Sequence, residues 1–322
     1  MKIKINRLLI NSCIALGITA ALLPILQIYE GDLEGYRLAF ESSRDQGLLE
    51  TYEIYKHTVG GYEPLSAILS WASKIIGINS HDLYTFFLNY FLYFVFLNYL
   101  SEHNLKLYQK VILLSGLYIF VLAIPAERLK IAFIFLVAGV STKNNYKYIY
   151  YICSFLSHFT ILFFLAVFSL THILGGAPKF WKVLCGRLSV KNSFIALVLG
   201  ALILVTIISI FFKDPILGKL NYYKNNADFS PWVLMNLVPA TYFLIRYKYL
   251  RREFAALSIV SGVLSVLLGS GRINMLYYMY TLNLLIRNKS STDPILIIIQ
   301  FYLIIKSLIF LDNVFSHGTG YE

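Results

Sequence analysis

The stretch LLINSCIALGITAALLPILQI, residues 8–28, decides the fold class of this protein. It contains no charged residue, and its length matches the roughly 20 predominantly apolar residues that a transmembrane helix needs. The basic residues Lys2, Lys4 and Arg7 precede it, as in a signal sequence, but no small-x-small cleavage site follows it. We therefore expect an uncleaved first membrane span whose N-terminus lies on the inner side.

The composition of the whole chain agrees with a lipid environment. Its 322 residues are 58% hydrophobic and only 14% charged, and the mean hydropathy is +0.65. Soluble globular chains are about half apolar and about a quarter charged. A water-soluble fold of this size would also have to bury more and longer apolar runs than one core accommodates. The composition therefore predicts an integral membrane protein.

Apolar segments follow one another along the chain, and most connections between them are short. These segments are 8–28, 83–100, 110–126, 128–141, 147–175, 193–212, 230–247, 253–270, 272–287 and 294–311. No fixed-period repeat or low-complexity tail interrupts the pattern. We therefore expect a single all-α transmembrane domain over residues 1–322, with about 10–11 transmembrane helices.

The net charge of +11 does not indicate nucleic-acid binding. The basic residues lie in short clusters between apolar runs and form no continuous face, as expected when Lys and Arg are retained on the cytoplasmic side. The cysteines Cys13, Cys153 and Cys185 form no CxxC pair and predict neither a disulfide framework nor a metal site. We therefore expect no nucleic-acid partner, no metal and no cofactor.

The one long polar segment, residues 29–61, is acidic and follows the first span. Its acidic residues are Glu30, Asp32, Glu34, Glu41, Asp45, Glu50 and Glu53, against Arg37, Arg44 and Lys56. The next stretch, 62–78, could be a span or an interfacial or re-entrant helix. If 62–78 crossed the membrane, the lysine-bearing loops 101–109 and 142–147 would lie outside, against the positive-inside bias. We therefore expect residues 29–82 to form an outer loop that carries an interfacial helix.

The later basic clusters lie on the inner side only if the segment 147–175 enters the membrane and returns. A hairpin of two short half-helices that turns near Ser157-His158 would satisfy this condition. The clusters are Lys179, Lys182, Arg187 and Lys191, then Arg246, Lys248, Arg251 and Arg252, then Arg287 and Lys289.

Four ionisable residues stand on the outer side, where the charge bias predicts none: Glu63, Arg128, His158 and Arg272. Such groups at membrane depth are costly and usually have a partner or a task. Each also has a plainer interpretation. Arg128 can snorkel to lipid headgroups, and Glu63 before Pro64 can start a helix. His158 can be a hydrogen-bonded packing residue, and Arg272 can neutralise a lipid phosphate. Their convergence on one membrane face favours a shared site.

The chemistry of this set fits a lipid-linked diphosphate. Two arginines present cationic forks that match phosphate oxygens and can stabilise the charge of a leaving diphosphate. A carboxylate or an imidazole nearby can accept the proton of an attacking sugar hydroxyl. Tyrosines of the outer segment offer flat apolar faces to sugar rings. These tyrosines are Tyr36, Tyr52, Tyr55 and Tyr62.

Four short motifs follow one another within residues 29–175, with a looser echo at Arg272. They are Gly31-Asp32-Leu33-Glu34-Gly35-Tyr36, Tyr62-Glu63-Pro64-Leu65 ahead of Ile76-Gly77, Arg128-Leu129-Lys130-Ile131-Ala132, and Ser157-His158-Phe159-Thr160. In these motifs and in their order, the sequence resembles the EpsG-type Wzy polymerases of bacterial O-antigen, capsule and exopolysaccharide assembly. The sequence departs from the family at Leu129-Lys130, where a glutamine is usual, and at Leu156-Ser157, where phenylalanine is common before the histidine.

The resemblance implies an enzyme of multi-span, GT-C-like glycosyltransferase architecture in the bacterial inner (cytoplasmic) membrane. Such an enzyme transfers a growing glycan from undecaprenyl diphosphate to the next lipid-linked repeat unit at the outer face, without a nucleotide-sugar site. Its partners would be the undecaprenyl-diphosphate-linked donor and acceptor glycans, the lipid bilayer and a chain-length regulator.

The resemblance and the chemistry together give each candidate residue an expected role. We expect substrate binding by arginines that hold the diphosphate and by tyrosines that contact sugars. These substrate-binding residues are Arg128, Arg272, Arg37, Tyr62 and Tyr36. Glu63 or Asp32 would act as the base or orient the acceptor hydroxyl, and His158 would position a phosphate or a sugar.

Three other functional classes stay open at this point. An O-antigen ligase, or another glycosyltransferase with a lipid-linked donor, would share the arginines and differ in its acceptor. A flippase for lipid-linked oligosaccharides usually has internal repeats and charged residues at mid-membrane, which this sequence lacks. A structural partner of an assembly complex would tolerate alanine at all four outer-face residues.

Overall fold

The computed structural model describes residues 2–164, 166–168, 170–171, 237–268 and 270–320. Within them, the side chains of 2–6, 237, 266–268 and 270–272 are not described. The expected span at 193–212, the first part of 230–247, Cys185 and the cluster Lys179, Lys182, Arg187 and Lys191 lie outside the described residues.

The described residues form helices and short 3-10 turns, with no strand among them, so the all-α prediction is confirmed for this part of the chain. The helices are α1 (Lys2–Ile28), α2 (Asp32–Ser42), α3 (Leu48–Val59), α4 (Pro64–Ile75), α5 (His81–Glu102), α6 (Leu107–Leu114), α7 (Leu117–Ala123), α8 (Glu127–Ser141), α9 (Lys147–Ser157), α10 (Leu237–Arg246), α11 (Arg251–Leu268), α12 (Ser270–Arg287) and α13 (Pro294–His317). They form two compact units, Met1–Ile161 with Leu284–Glu322, and Leu162–Asn283.

Three helices of the described part are long and apolar enough to cross a membrane: Arg7–Ile28, His81–Glu102 and Pro294–His317. Each reaches or exceeds the roughly 20 residues that a hydrocarbon core requires. They coincide with the segments 8–28, 83–100 and 294–311 that the sequence predicts as spans. The structure is therefore compatible with a membrane protein.

In the first unit, α1 packs along α5, and polar side chains join the two helices. The Asn11 amide donates to Asn98 Oδ1 at 2.8 Å and to Ser101 Oγ at 3.0 Å. The Arg7 guanidinium donates to the Ser101 carbonyl at 3.2 Å. Hydrogen bonds of this kind fix the register of helices whose surfaces are otherwise uniformly apolar.

The apolar run 110–126, which the sequence predicts as one span, is two short helices, α6 and α7, separated at Ser115-Gly116. The helix α13 stabilises this break, since Gln300 Nε2 donates to the Ile112 carbonyl at 2.6 Å. Ser307 Oγ donates to the Ser115 carbonyl at 2.8 Å. A Cβ at Gly116 would lie 2.7 Å from Gln300 Nε2, so glycine allows this close approach.

The predicted outer loop is itself helical, because α2, α3 and α4 lie within residues 29–82. With 12 residues, α4 is too short to cross a membrane, in agreement with the expected interfacial helix. One face of α4 is small and buried, at Ser66, Ala67, Ser70 and Ser73, and this face lets α3 approach closely.

The amine of Lys74, near the end of α4, fastens this helix to the end of α2. Its Nζ donates to the Ser43 carbonyl at 2.8 Å and to Ser43 Oγ at 2.6 Å, and it lies 5.0 Å from the centre of the Phe40 ring. Burial lowers the pKa of Lys74 to about 8, against the opposing effect of Asp45.

We expect Lys74 to become reactive toward acetic anhydride as the pH rises through about 8. The folded-state pKa lies below the ordinary value of 10.5, so the unfolded chain holds more protons between these values. The contribution of Lys74 to folding stability therefore improves as the pH rises across that window. Competitive acetylation followed by mass spectrometry measures the midpoint. Lys56 is the control, because its hydrogen bond with Glu53 raises its pKa. The same pH dependence at both lysines would contradict the prediction.

In the second unit, α10 and α11 pack through aromatic rings. The rings of Phe243 and Phe254 stack with their centres 5.1 Å apart, and Phe243 also stacks on Tyr247 at 6.1 Å. The 3-10 turn Lys248–Leu250 joins the two helices. The basic cluster Arg246, Lys248, Arg251 and Arg252 therefore lies at this turn, where the apolar helices end.

Candidate functional site

Arg128 is the centre of a buried polar cluster in the first unit. It lies in the first turn of α8, and its Nη1 contacts Glu63 Oε2 at 2.6 Å. Its Nε donates to the Tyr36 hydroxyl at 3.0 Å. The side chain of Arg128 is 12% exposed and that of Glu63 is 1% exposed. The guanidinium and the carboxylate therefore form an ion pair largely shielded from solvent.

Glu63 precedes α4, and the local sequence explains why its carboxyl group reaches Arg128. Pro64 occupies the first position of α4, where its missing N–H needs no partner. The backbone of Glu63 is extended, and its side chain makes no capping hydrogen bond to α4. The carboxylate therefore points away from its own helix and pairs across to α8.

His158 approaches the same carboxylate from the end of α9. Its backbone is extended, with φ −162°, where α9 ends, and its Nδ1 lies 3.9 Å from Glu63 Oε1. The backbone N–H of Thr160 donates to His158 Nδ1 at 3.2 Å. Since Nδ1 accepts a hydrogen bond, the neutral ring carries its proton on Nε2. Protonation of the ring would turn the contact with Glu63 into an ion pair.

Tyr36 completes the cluster from α2. It is buried, and burial raises the pKa of its hydroxyl, while the charge of Arg128 acts in the opposite direction. The hydroxyl therefore stays protonated at neutral pH. Because it accepts a hydrogen bond from Arg128 Nε, its own hydrogen is available to donate to a ligand.

Gly61 leaves room for the guanidinium. A Cβ at this position would lie 2.8 Å from Arg128 Cζ and 3.2 Å from Arg128 Cδ, closer than side chains normally approach. The absence of a side chain at residue 61 therefore allows Arg128 to lie against the backbone ahead of α4.

Gly61→Ala is expected to destabilise the folded protein by about 1–3 kcal/mol, since overpacking a buried site forces its neighbours to move. We expect the added methyl group to push Arg128 away from Glu63. The thermal unfolding midpoint in detergent measures the effect. Gly35→Ala is the matched control, because its Cβ would meet only the Thr58 carbonyl, at 3.9 Å. Equal midpoints for the two variants would contradict the expected clash.

Other predicted site residues lie elsewhere. Arg37 pairs with Asp82 at 3.6 Å and donates to the Leu26 carbonyl at 3.2 Å, so its described contacts are with α1 and α5. Asp32 is exposed in the first turn of α2, where its charge acts on Tyr36.

Tyr62 and Arg272 complete the predicted set. Tyr62 is half-buried beside Glu63, and its carbonyl accepts a hydrogen bond from the Tyr52 hydroxyl at 3.1 Å. Arg272 lies in α12, and its side chain is outside the described residues. The structure therefore brings together Tyr36, Glu63, Arg128 and His158.

Sequence reasoning missed a second buried ionisable pair, His81 and Glu127. His81 Nε2 lies 2.8 Å from Glu127 Oε2, and the side chains are 1% and 0% exposed. The available signal was a glutamate directly before Arg128 in an apolar context. Its partner His81 lies 46 residues earlier, and the sequence around His81 shows only that it begins an apolar helix.

Comparison with known proteins adds no family to this description. No protein-family model, no curated protein and no solved structure matches the chain. The chemistry of the site must therefore be read from its own residues. A buried guanidinium held by a carboxylate and a tyrosine, with an imidazole beside them, can exchange its carboxylate for another anion and move a proton.

Proposed function

We propose that this chain is a glycosyltransferase, a Wzy-type polysaccharide polymerase. It joins oligosaccharide repeat units carried on undecaprenyl diphosphate at the outer face of the bacterial inner membrane. One observation carries the proposal. Each of the four motifs that resemble the EpsG-type family contributes one side chain to the buried cluster. These side chains are Tyr36, Glu63, Arg128 and His158.

The membrane arrangement is part of the proposal. The chain crosses the membrane about 10–11 times with a cytoplasmic N-terminus, in a GT-C-like multi-span architecture. The segment 29–82 lies outside, and α4 lies in the outer interface. The three apolar helices of the described part and the short length of α4 support this arrangement.

Arg128 binds the donor diphosphate by exchanging one anion for another. In the free protein the guanidinium holds the Glu63 carboxylate. A diphosphate offers several oxygens to the same planar fork, together with more negative charge than a carboxylate. Its binding releases Glu63, and the Tyr36 hydroxyl donates to a phosphate oxygen. The expected phosphate-binding role of Arg272 stays a prediction, and Arg37 is proposed as a secondary phosphate contact.

Glycosyl transfer then follows from the released carboxylate. The acceptor sugar hydroxyl attacks the anomeric carbon of the donor, forming a new C–O bond as the bond from that carbon to the diphosphate breaks. Glu63 accepts the hydroxyl proton, and Arg128 stabilises the charge of the leaving undecaprenyl diphosphate. His158, 3.9 Å from Glu63, can hold the proton as imidazolium. Asp32 is the proposed alternative base, and Tyr62 contacts the sugar.

The glycans of cells that lack this protein test the proposal. A gel that resolves single repeat units should show the polymer ladder collapsed to one capped unit, because the lost step is polymerisation. Full-length polymer that stays on the lipid carrier would identify a ligase instead. Unpolymerised units on the cytoplasmic side would identify a flippase, and an unchanged ladder would exclude all three activities.

A further inference from the structure

The pair formed by His81 and Glu127 joins two helices at their first residues. His81 begins α5, and Glu127 begins α8. The imidazole Nε2 and the carboxylate Oε2 are 2.8 Å apart, and both side chains are fully buried. The contact therefore fastens the start of α8 to the start of α5.

The surroundings hold both partners of this pair in place. Thr85 Oγ1 lies 3.4 Å from His81 Nε2, one turn along α5, and the Phe40 ring meets the imidazole edge-on with centres 5.7 Å apart. One turn along α8, the buried Lys130 donates to the Ala123 carbonyl at 2.8 Å. The charge of Glu127 acts on Lys130 and on the hydroxyl of the buried Tyr55.

The start of α8 has no side-chain cap, and in the described part of the chain its first turn is held by the side chains of Glu127, Arg128 and Lys130. Ala126 precedes the helix, and its methyl group cannot cap the first turn. The backbone before it is irregular, with Ile124 at φ −101° and ψ −80°. The rotation of the first turn about the helix axis therefore depends on the side chains of that turn.

That rotation decides where Arg128 points. Successive residues of an α-helix are about 100° apart around the axis, because a turn takes 3.6 residues. When Glu127 is held against α5, the side chain of Arg128, the next residue, points toward Tyr36 on α2 and Glu63 ahead of α4. An apolar pair would join α5 to α8 without the desolvation cost of charged groups, but without a directional bond.

We propose that His81 and Glu127 are positioning residues that fix the first turn of α8 and thereby aim the Arg128 guanidinium at its ligands. The inference rests on the proposed function only for the identity of the ligand that Arg128 binds. Loss of the His81–Glu127 bond frees the first turn to rotate and loosens the bonds from Arg128 to Tyr36 and Glu63.

Nitrogen-15 labelling of arginine Nε tests this inference without any ligand. In the full chain in nanodiscs, the Arg128 Nε–H resonance is assigned by its loss in Arg128→Lys. Because this N–H is shielded and bonded to Tyr36, it should exchange slowly with solvent. We expect His81→Ala to accelerate its exchange at least about tenfold, and His81→Gln, which can still donate to Glu127, to retain most of the protection. His103→Ala, at the other end of α5, is the control.

Unchanged Arg128 Nε–H exchange in His81→Ala would overturn the proposal. Should that variant not fold, Glu127→Asp gives the same test, because it keeps the charge and withdraws the carboxylate from His81. Geranyl diphosphate then serves as the binding probe. We expect His81→Ala to weaken its binding about tenfold, and to have no further effect in an Arg128→Lys background. No binding by the unaltered chain would remove the proposed function, while the exchange measurement would still decide the positioning role.

Discussion

Arg128→Ala is expected to abolish polymer formation, and Arg128→Lys to reduce it by about 10²–10³-fold, the usual cost of one donor at a developing charge. Lysine keeps the positive charge, but it cannot place two N–H groups in the plane that serves Tyr36 and Glu63. We therefore expect the site to require a guanidinium fork and not a positive charge alone. The ladder of repeat units made by complemented cells measures the loss.

Arg44→Lys is the matched control for this substitution. Arg44 lies in the same outer segment but is exposed, and we expect its replacement to leave the ladder unchanged. A normal ladder in Arg128→Ala cells, with the variant present in the membrane at ordinary abundance, would rule out the proposed role of Arg128.

Glu63→Gln is expected to destabilise the protein by about 3–5 kcal/mol, because it leaves the guanidinium buried without a counter-charge. Combining it with Arg128→Met removes both charges, and stability should return close to that of the unaltered chain. Polymer formation should be lost in the single and in the double variant alike. Comparison of the single variant with the double variant thus separates the contribution of Glu63 and Arg128 to folding from their contribution to chemistry.

Thermal unfolding in detergent and the repeat-unit ladder are measured on the same samples. The control is Glu53→Gln, since Glu53 pairs with Lys56 at 2.9 Å on an exposed face. Its replacement should leave both measurements unchanged. A double variant that is stable and still makes polymer would show that the ion pair is structural only.

The sequence predicts the helices of this protein where long apolar runs decide them. The segments 8–28, 83–100 and 294–311 appear as long helices, because a long apolar run with at most one charged residue satisfies its backbone polar groups best as a helix in an apolar environment. Charge also identifies part of the site. Glu63 and Arg128 stand out as ionisable residues in apolar surroundings, and the structure pairs them.

Other features depend on partners that are distant in sequence. The break between α6 and α7 is stabilised by Gln300 and Ser307, 188 and 192 residues away from the carbonyls that they bind, so the run 110–126 looks continuous. The contacts of Arg37 with Asp82 and with the Leu26 carbonyl likewise join it to other helices, and no local pattern around Arg37 predicts them. Periodicity and charge bias are local signals and carry no information about such pairings.

The dependence of that break on α13 has a consequence for biogenesis. A translocon releases segments in the order of their synthesis, so residues 107–123 leave the ribosome long before Gln300 and Ser307 exist. Until then, the carbonyls of Ile112 and Ser115 lack the side chains that bind them in the finished fold. In the proposed membrane arrangement, unbonded carbonyls are costly in hydrocarbon, so α6 and α7 would stay beside water or the translocon wall at that stage. The proposed arrangement therefore places completion of the α6–α7 break after the synthesis of α13.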